Sequence, residues 1–297
     1  MNSLLKSPTL LATQCTCDQL TYTADGIAIA PSLIYSHGML ANAFFFGHPV
    51  WAKKDFYRES HNPFWKSRWQ AVIPSWDSQV VVDIGCGFGH VYTTLGGRPA
   101  AIIGVDISLD ALRRAQQLGY MPLLADAQAL PLKSSFADIV VLNAALHHCD
   151  DMAATLKEAA RLLKPGGLLV SDLDPQRSAW QFKGLGRLVD KARRRLPLYW
   201  LMRFSRYRSR TEIDVRLATE IHNAKPGDGI TPQLYHDVLA PLGFEVSVYP
   251  HNHSVGQAVF AGELGQLPWP YRLAQRLSGI RPGQAAAQSI MCVARRV

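Results

Sequence analysis

The chain has no uninterrupted apolar run near the roughly 18 residues that a membrane-spanning helix needs, so nothing in it asks for a bilayer interior. The apolar stretch Leu10 to Ala12 is too short for a secretory h-region. "LLATQC" has the outline of a lipoprotein signal, but Gln14 is not a small residue and no apolar segment precedes it. A cytoplasmic protein is expected. Cysteine is sparse and odd in number. Cys15, Cys17, Cys86, Cys149 and Cys292 are scattered, which speaks against a disulfide framework and for a reducing compartment. Tetrahedral zinc would need a second pair at ribbon-like spacing beside Cys15 and Cys17, and none appears before Cys86. No metal is expected, and "CTCDQLTYTADGIAIA" reads as a small β-rich segment with two ordinary thiols. Internal repeats and low-complexity tracts are missing. Acid is scarce in one place: Lys183 to Arg210 holds ten basic residues and only Asp190, a net +9 against +8 for the whole chain. The basicity therefore belongs to a segment and not to the fold.

What is present is a 297-residue chain with 48% hydrophobic residues, ample for one large α/β domain with additions. From Gln79 onward short apolar runs alternate with helical patterns, as in a Rossmann-like sheet with helices on both faces. Strands are expected at Val80–Ile84, Ala101–Asp106, Met121–Ala125, Ile139–Asn143, Leu168–Asp172, Phe244–Tyr249 and Ser289–Ala294. Ser108, Asp150 or Asp151, and Thr231 before Pro232 are helix-start signals; Gly119, the "KPGG" at 164–167 and Gly243 are stop signals. Residues 76–175 are expected to form a ligand-binding core and 231–297 its completion. Residues 1–75 and 176–230 are expected to be an N-terminal cap and an inserted basic and aromatic lid.

Open α/β sheets bind ligands beyond the carboxyl ends of their strands, so the strand-end residues carry the information. "VVVDIGCGFGH" puts Asp83 just before Gly85, Gly87 and Gly89. A dinucleotide fingerprint wants glycine at the sixth loop position, which here is His90, and a carboxylate beside the loop repels a pyrophosphate. It suits a ligand that carries an ammonium and a sulfonium. "VVDIGCGFGH", "IIGVDIS", "ADAQALPLKSSFADIVVLNAALHHCDD" and "LLKPGGLLVSD", in this order over Gln79 to Asp172, resemble the successive motifs of class I S-adenosylmethionine-dependent methyltransferases. The resemblance implies seven strands, the last antiparallel, and S-adenosyl-L-methionine as cofactor. It also implies Asp83, Gly85, Cys86, Gly87 and Gly89 around the methionine moiety and Asp106, with Ile107 after it, at the ribose. Asp126 and Ala127 would meet the adenine, while Asn143 and Ala144 would face the methionine part and the methyl group.

Methyl transfer is an in-line displacement on an already activated leaving group, so alignment and exclusion of water come first and a general base is optional. His147, His148, His251 and His253 are the candidates for that base. "NAAL" stands where an "NPPY"-like tetrapeptide would follow the fourth strand, which argues against adenine-amino methylation by the common route. Aromatics between Phe44 and Trp69, with Trp180, Tyr199, Trp200, Phe204 and Tyr207, fit either core packing or a sizeable apolar acceptor. Three readings stay open: a methyltransferase acting on a small apolar, aromatic, lipid-like or anionic acceptor with peripheral membrane contact through 183–210; an RNA or protein methyltransferase, ranked below it; and a non-catalytic cofactor-binding module.

Overall fold

The computed structural model describes residues 8–16, 20–31, 33–51, 61–195, 210–222 and 228–297. Its centre is a nine-stranded sheet of order β1-β2-β5-β4-β3-β6-β7-β9-β8. The strands are β1 Thr21–Tyr22, β2 Ala28–Ile29, β3 Val80–Ile84, β4 Ala101–Asp106, β5 Met121–Leu124, β6 Ala137–Asn143, β7 Leu163–Pro175, β8 Phe244–His251 and β9 Ser289–Arg296. From β5 to β7 all pairings are parallel, and β9 runs antiparallel between β7 and β8. The seven expected strands form this block. The two additional ones come from the β-rich amino-terminal segment, where a short hairpin places β2 parallel to β5 at the sheet edge. Cys15 is buried and bridges to Leu132, while Cys17 lies outside the described residues.

Period-two alternation sorts the strands onto two buried layers. Val82, Ile84, Val140, Leu142 and Leu169 face one layer, completed by Leu156 and Ala159 of the helix Met152–Leu162 and by Tyr235 and Leu239 of the helix Pro232–Leu239. Val81, Val141, Leu168 and Val170 face the other, built on Trp65 and Trp69 of the helix Pro63–Val72, Leu112 of the helix Leu109–Gln117, and Tyr120. Trp65, Trp69 and Phe45 are fully buried, so these three residues of the amino-terminal aromatic stretch are core, whereas Phe44 and Phe64 are exposed. The expected caps hold. Ser108 Oγ accepts from Ala111 N–H, Asp151 Oδ1 from Ala154 N–H and Thr231 Oγ1 from Leu234 N–H, each satisfying a first-turn donor. β4 and β5 lie to one side of β3, whereas β6 lies to the other. The carboxyl ends of β3 and β6 thus form the topological switch point.

Candidate active site

A cavity of about 440 Å³ opens at that switch point. Its floor is made by strand ends: Gly85 and Gly87 after β3, Asp106 and Ile107 at β4, Asp126 to Gln128 after β5, Asn143 to Ala145 at β6, and Leu173 and Pro175 of β7. Gly85 and Gly87 have φ of 70° and 52°, a region that favours glycine. A Cβ on Gly85 would stand 2.6 Å from the Cβ of Ala145, so this turn holds the space between the two central strand ends. Asp106 ties the turn to its neighbour: Oδ2 accepts from Gly87 N–H at 2.8 Å and Oδ1 from Ser108 N–H at 2.8 Å. Burial pushes its carboxyl above the usual range, against the pull of the Ser108 and Gly87 amides. Each oxygen keeps acceptor capacity toward the cavity. Asp126 Oδ1 accepts from Gln128 N–H at 3.0 Å and so is held at the wall.

Two non-glycine residues on the floor have left-handed backbones, Ala144 at φ 52° and Leu173 at φ 64°. Both are secured by Asp172, whose backbone oxygen accepts from Ala144 N–H at 2.8 Å and whose Oδ1 accepts from Leu173 N–H at 2.7 Å. Asp172 itself is fully buried. Its Oδ2 receives Arg68 Nη2 at 3.1 Å and Trp69 Nε1 at 3.0 Å, and its Oδ1 lies 2.7 Å from His251 Nε2. Burial alone would raise this carboxyl, but the Arg68 guanidinium and His251 hold it well below the usual carboxylate range.

Of the expected cofactor residues, Gly85, Gly87, Asp106, Ile107, Asp126, Ala127, Asn143 and Ala144 line the cavity. Asp83, Cys86 and Gly89 do not. Alternation along β3 turns Asp83 to the tryptophan layer, where Oδ2 accepts from the Tyr120 hydroxyl at 2.8 Å and burial pushes the carboxyl up to about 6. The carboxylate before the glycine loop thus supports the loop from behind rather than facing a ligand. Cys86 is buried on the same side, with its thiol pushed well up by burial. Gly89 abuts Tyr120.

The histidines separate in the same way. His251 is fully buried in the Asp172 network and is absent from the cavity wall, which corrects its place among the base candidates. His147, His148 and His253 line the cavity. His147 Nδ1 lies 2.8 Å from Asp174 Oδ1, which also accepts from the His147 N–H at 3.1 Å; Asp174 Oδ2 accepts from Ser171 Oγ at 2.8 Å. On the other side, Nε2 is 3.9 Å from Glu220 Oε2, beyond hydrogen-bond range. His148 Nδ1 sits 2.6 Å from the Thr219 oxygen, so the ring donates there. Burial and the neighbouring His147 bring its pKa down to about 3 and keep it neutral.

Asp174, which holds His147, and Arg216, Glu220, Gln288 and Ser289 on the cavity wall carry no strand-end signal in the sequence. "SDLDP" offered two acids, but alternation cannot separate them because Leu173 interrupts it: Asp172 turns to Trp69 and Asp174 to Ser171. Arg216, which pairs with Glu220 at 2.9 Å, follows a segment without strand periodicity, and no signal marked it. Arg203, Arg206, Arg208, Tyr199, Trp200, Phe204 and Tyr207 lie outside the described residues. Among the described residues no cluster of histidine, cysteine or carboxylate is arranged to hold a metal.

Positive-φ glycines at the switch point, a carboxylate ending the second strand of the block and an acid beyond the third fit an adenosyl amino acid laid across the strand ends. Residues 82–171 match the family model of a methyltransferase domain. The chain thus carries a methyltransferase domain over these residues. It is similar to a malonyl-[acyl-carrier protein] O-methyltransferase of Yersinia pestis, 35% identical over 34% of this chain and 41% of that one. A ubiquinone biosynthesis O-methyltransferase of Nitrosomonas europaea is 28% identical over 48% of this chain and 62% of its own. The chain spans about half the length of the curated relatives it matches. In fold it is similar to an S-adenosylmethionine-dependent methyltransferase of Thermotoga maritima, with a TM-score of 0.53 and 18% identity over 86% of this chain and 99% of that one.

Proposed function

We propose that the protein transfers the methyl group of S-adenosylmethionine to an oxygen of a small, largely apolar acceptor. The observation that carries the reading is the cavity, whose floor is strand ends and whose lining also includes Phe46, His147, His148, Trp180, Arg216 and Glu220. The bound cofactor supplies a methyl group on a sulfonium, which is already an activated leaving group. Asp106 would accept from the ribose hydroxyls, Asp126 and the Ala127 amide would meet the adenine, and Gly85, Gly87, Asn143 and Ala144 would border the methionine part. Ile107 would pack beside the adenosine.

His147 is the proposed general base. Asp174 fixes its Nδ1–H, which leaves the Nε2 lone pair to take the proton of an acceptor hydroxyl. His148, neutral and donating to Thr219, would accept a hydrogen bond without acting as a base; His253 would line the acceptor side. Trp180, Arg216 and Glu220, the described residues of the inserted segment that reach the wall, would close the acceptor side and hold off water. The relatives named as O-methyltransferases of ubiquinone biosynthesis and of malonyl-carrier substrates support an oxygen acceptor of modest size.

The test is methyl transfer from labelled cofactor to panels of phenols, acyl carboxylates, RNA and protein. Label on oxygen of small apolar acceptors, lost in His147→Asn, is the expected result. Label on RNA or on protein side chains alone would overturn the reading.

A further inference from the structure

The helices Gly184–Arg195 and Trp269–Leu277 pack side by side. A Cβ on Gly186 would run into the Ala274 oxygen and Ser278, so only glycine permits this approach. Each helix buries one face on the other and leaves an apolar stripe uncovered. On the first, Leu185 and Leu188 are 64% and 60% exposed, and Ala192 continues the stripe at helical spacing. On the second, Trp269 is 67% exposed and is followed four and eight residues on by exposed Leu273 and Leu277. Exposed Arg187 and Lys191 flank the first stripe and exposed Arg272 and Arg276 the second. Among the described residues no carboxylate pairs with any of these four cations. The sole acid of the first helix, Asp190, is buried, and the second helix has none.

Exposed apolar side chains on two packed helices, with a tryptophan at the start of one and unpaired cations alongside, are the composition of an interfacial surface. Leucines and the indole enter the headgroup boundary while arginine and lysine meet lipid phosphates. We propose that this two-helix pad docks on an anionic lipid bilayer. Charge complementarity selects that occupant: a neutral surface would satisfy the leucines and leave four cations without partners. The pad is also fixed to the cavity. Tyr271 of the second helix meets Trp180, a cavity residue, edge-on at 5.6 Å between ring centroids, and Gln275 Nε2 donates to the Ala179 oxygen at 3.1 Å. Docking therefore places the Trp180 wall of the cavity just behind the membrane-bound helix, close to where an apolar acceptor would be dissolved. The idea deepens the proposed small-acceptor reading and rests on it for that last step alone.

The test is sedimentation of the full chain with vesicles of phosphatidylglycerol mixed into phosphatidylcholine, and with phosphatidylcholine alone. The chain is expected to pellet with the mixed vesicles, far less with the neutral ones, and to be released by salt. Arg272→Gln with Arg276→Gln should lower the partition coefficient about 25-fold, about fivefold for each cation removed. Leu188→Ser with Trp269→Ser should lower it at least tenfold at every salt concentration. Melting temperature and S-adenosylhomocysteine affinity, read on the same samples, should stay as in the wild type. Because cofactor binding is read separately, failure of the pad would leave the methyltransferase reading standing. No pelleting with mixed vesicles, equal pelleting with neutral ones, indifference to both double variants, or capture of an acidic carrier protein in place of vesicles would each overturn the proposal.

Discussion

Replacing Arg68 by Met should test how the cavity floor is held. Arg68 and Asp172 are both 0% exposed, and the guanidinium reaches Asp172 Oδ2 through Nη2 at 3.1 Å and Nε at 3.3 Å, while Nη1 donates to the Val255 oxygen. Methionine keeps much of the volume and removes the charge. Asp172 would then be a buried carboxylate with His251, Trp69 Nε1 and the Leu173 amide as its remaining partners. Stranding one member of a buried pair typically costs about 3 to 5 kcal/mol, because the desolvation of the other is no longer offset. At about 2 to 4 °C per kcal/mol for a domain of this size, the melting temperature should fall by roughly 6 to 20 °C. The sign of the pH dependence is fixed by the depressed carboxyl. Its stabilisation is complete above the unfolded-state pKa and is lost only as pH falls through the lower folded value. Wild type and Arg68→Met should therefore differ by a constant amount from pH 6 to pH 8 and converge in acid. Urea unfolding across that range is the assay. Adding Asp172→Asn should recover part of the loss, since the stranded charge is gone. A loss under about 1 kcal/mol in Arg68→Met, or no coupling with Asp172→Asn, would refute the claim that this pair carries the floor.

Gly85→Ala, at φ 70° and with its new Cβ 2.6 Å from that of Ala145, should weaken S-adenosylhomocysteine at least tenfold by calorimetry while the chain still folds. His147→Asn should lower kcat by about 10² to 10⁴ and leave S-adenosylhomocysteine affinity unchanged; Asp174→Asn should follow it, because the imidazole loses the partner that fixes its tautomer. Asp83 has a folded pKa of about 6 against an ordinary 3.8, so the folded state binds more protons between those values and loses stability as pH rises through them. Relative to Asp83→Asn, the wild type should lose roughly 3 kcal/mol between pH 4 and pH 7 in urea titrations; parallel curves would show that Asp83 is not the buried group described.

The parallel block was legible because its signals are local. Apolar runs such as Val80–Ile84, caps at Ser108, Asp151 and Thr231, and glycines at the loop each act within a few residues. The same locality explains Asp106, which ends β4, and Asp126, just beyond β5, both of which line the cavity. The misplacements have one cause, the face to which a strand-end side chain turns. Asp83 and His251 stand at strand ends yet point into the tryptophan layer, and Asp174 escapes notice because the left-handed Leu173 reverses the alternation. Trp65 and Trp69 could be core or acceptor wall by composition, and only packing against Asp172 and Asn143 distinguishes the two. Arg216 and Glu220 arrive from a segment whose position depends on long-range contacts with the helix His37–Gly47.

The strand-end cavity should bind S-adenosylmethionine through Asp106. Calorimetric titration of S-adenosylhomocysteine into the wild type and Asp106→Ala tests it most directly. Clear binding by the wild type, no binding of NAD, and a loss of about 1.5 to 3 kcal/mol, roughly 10- to 150-fold, in a variant that remains folded are expected. Equal affinity of the two proteins for S-adenosylhomocysteine, or binding of NAD in its place, would contradict it.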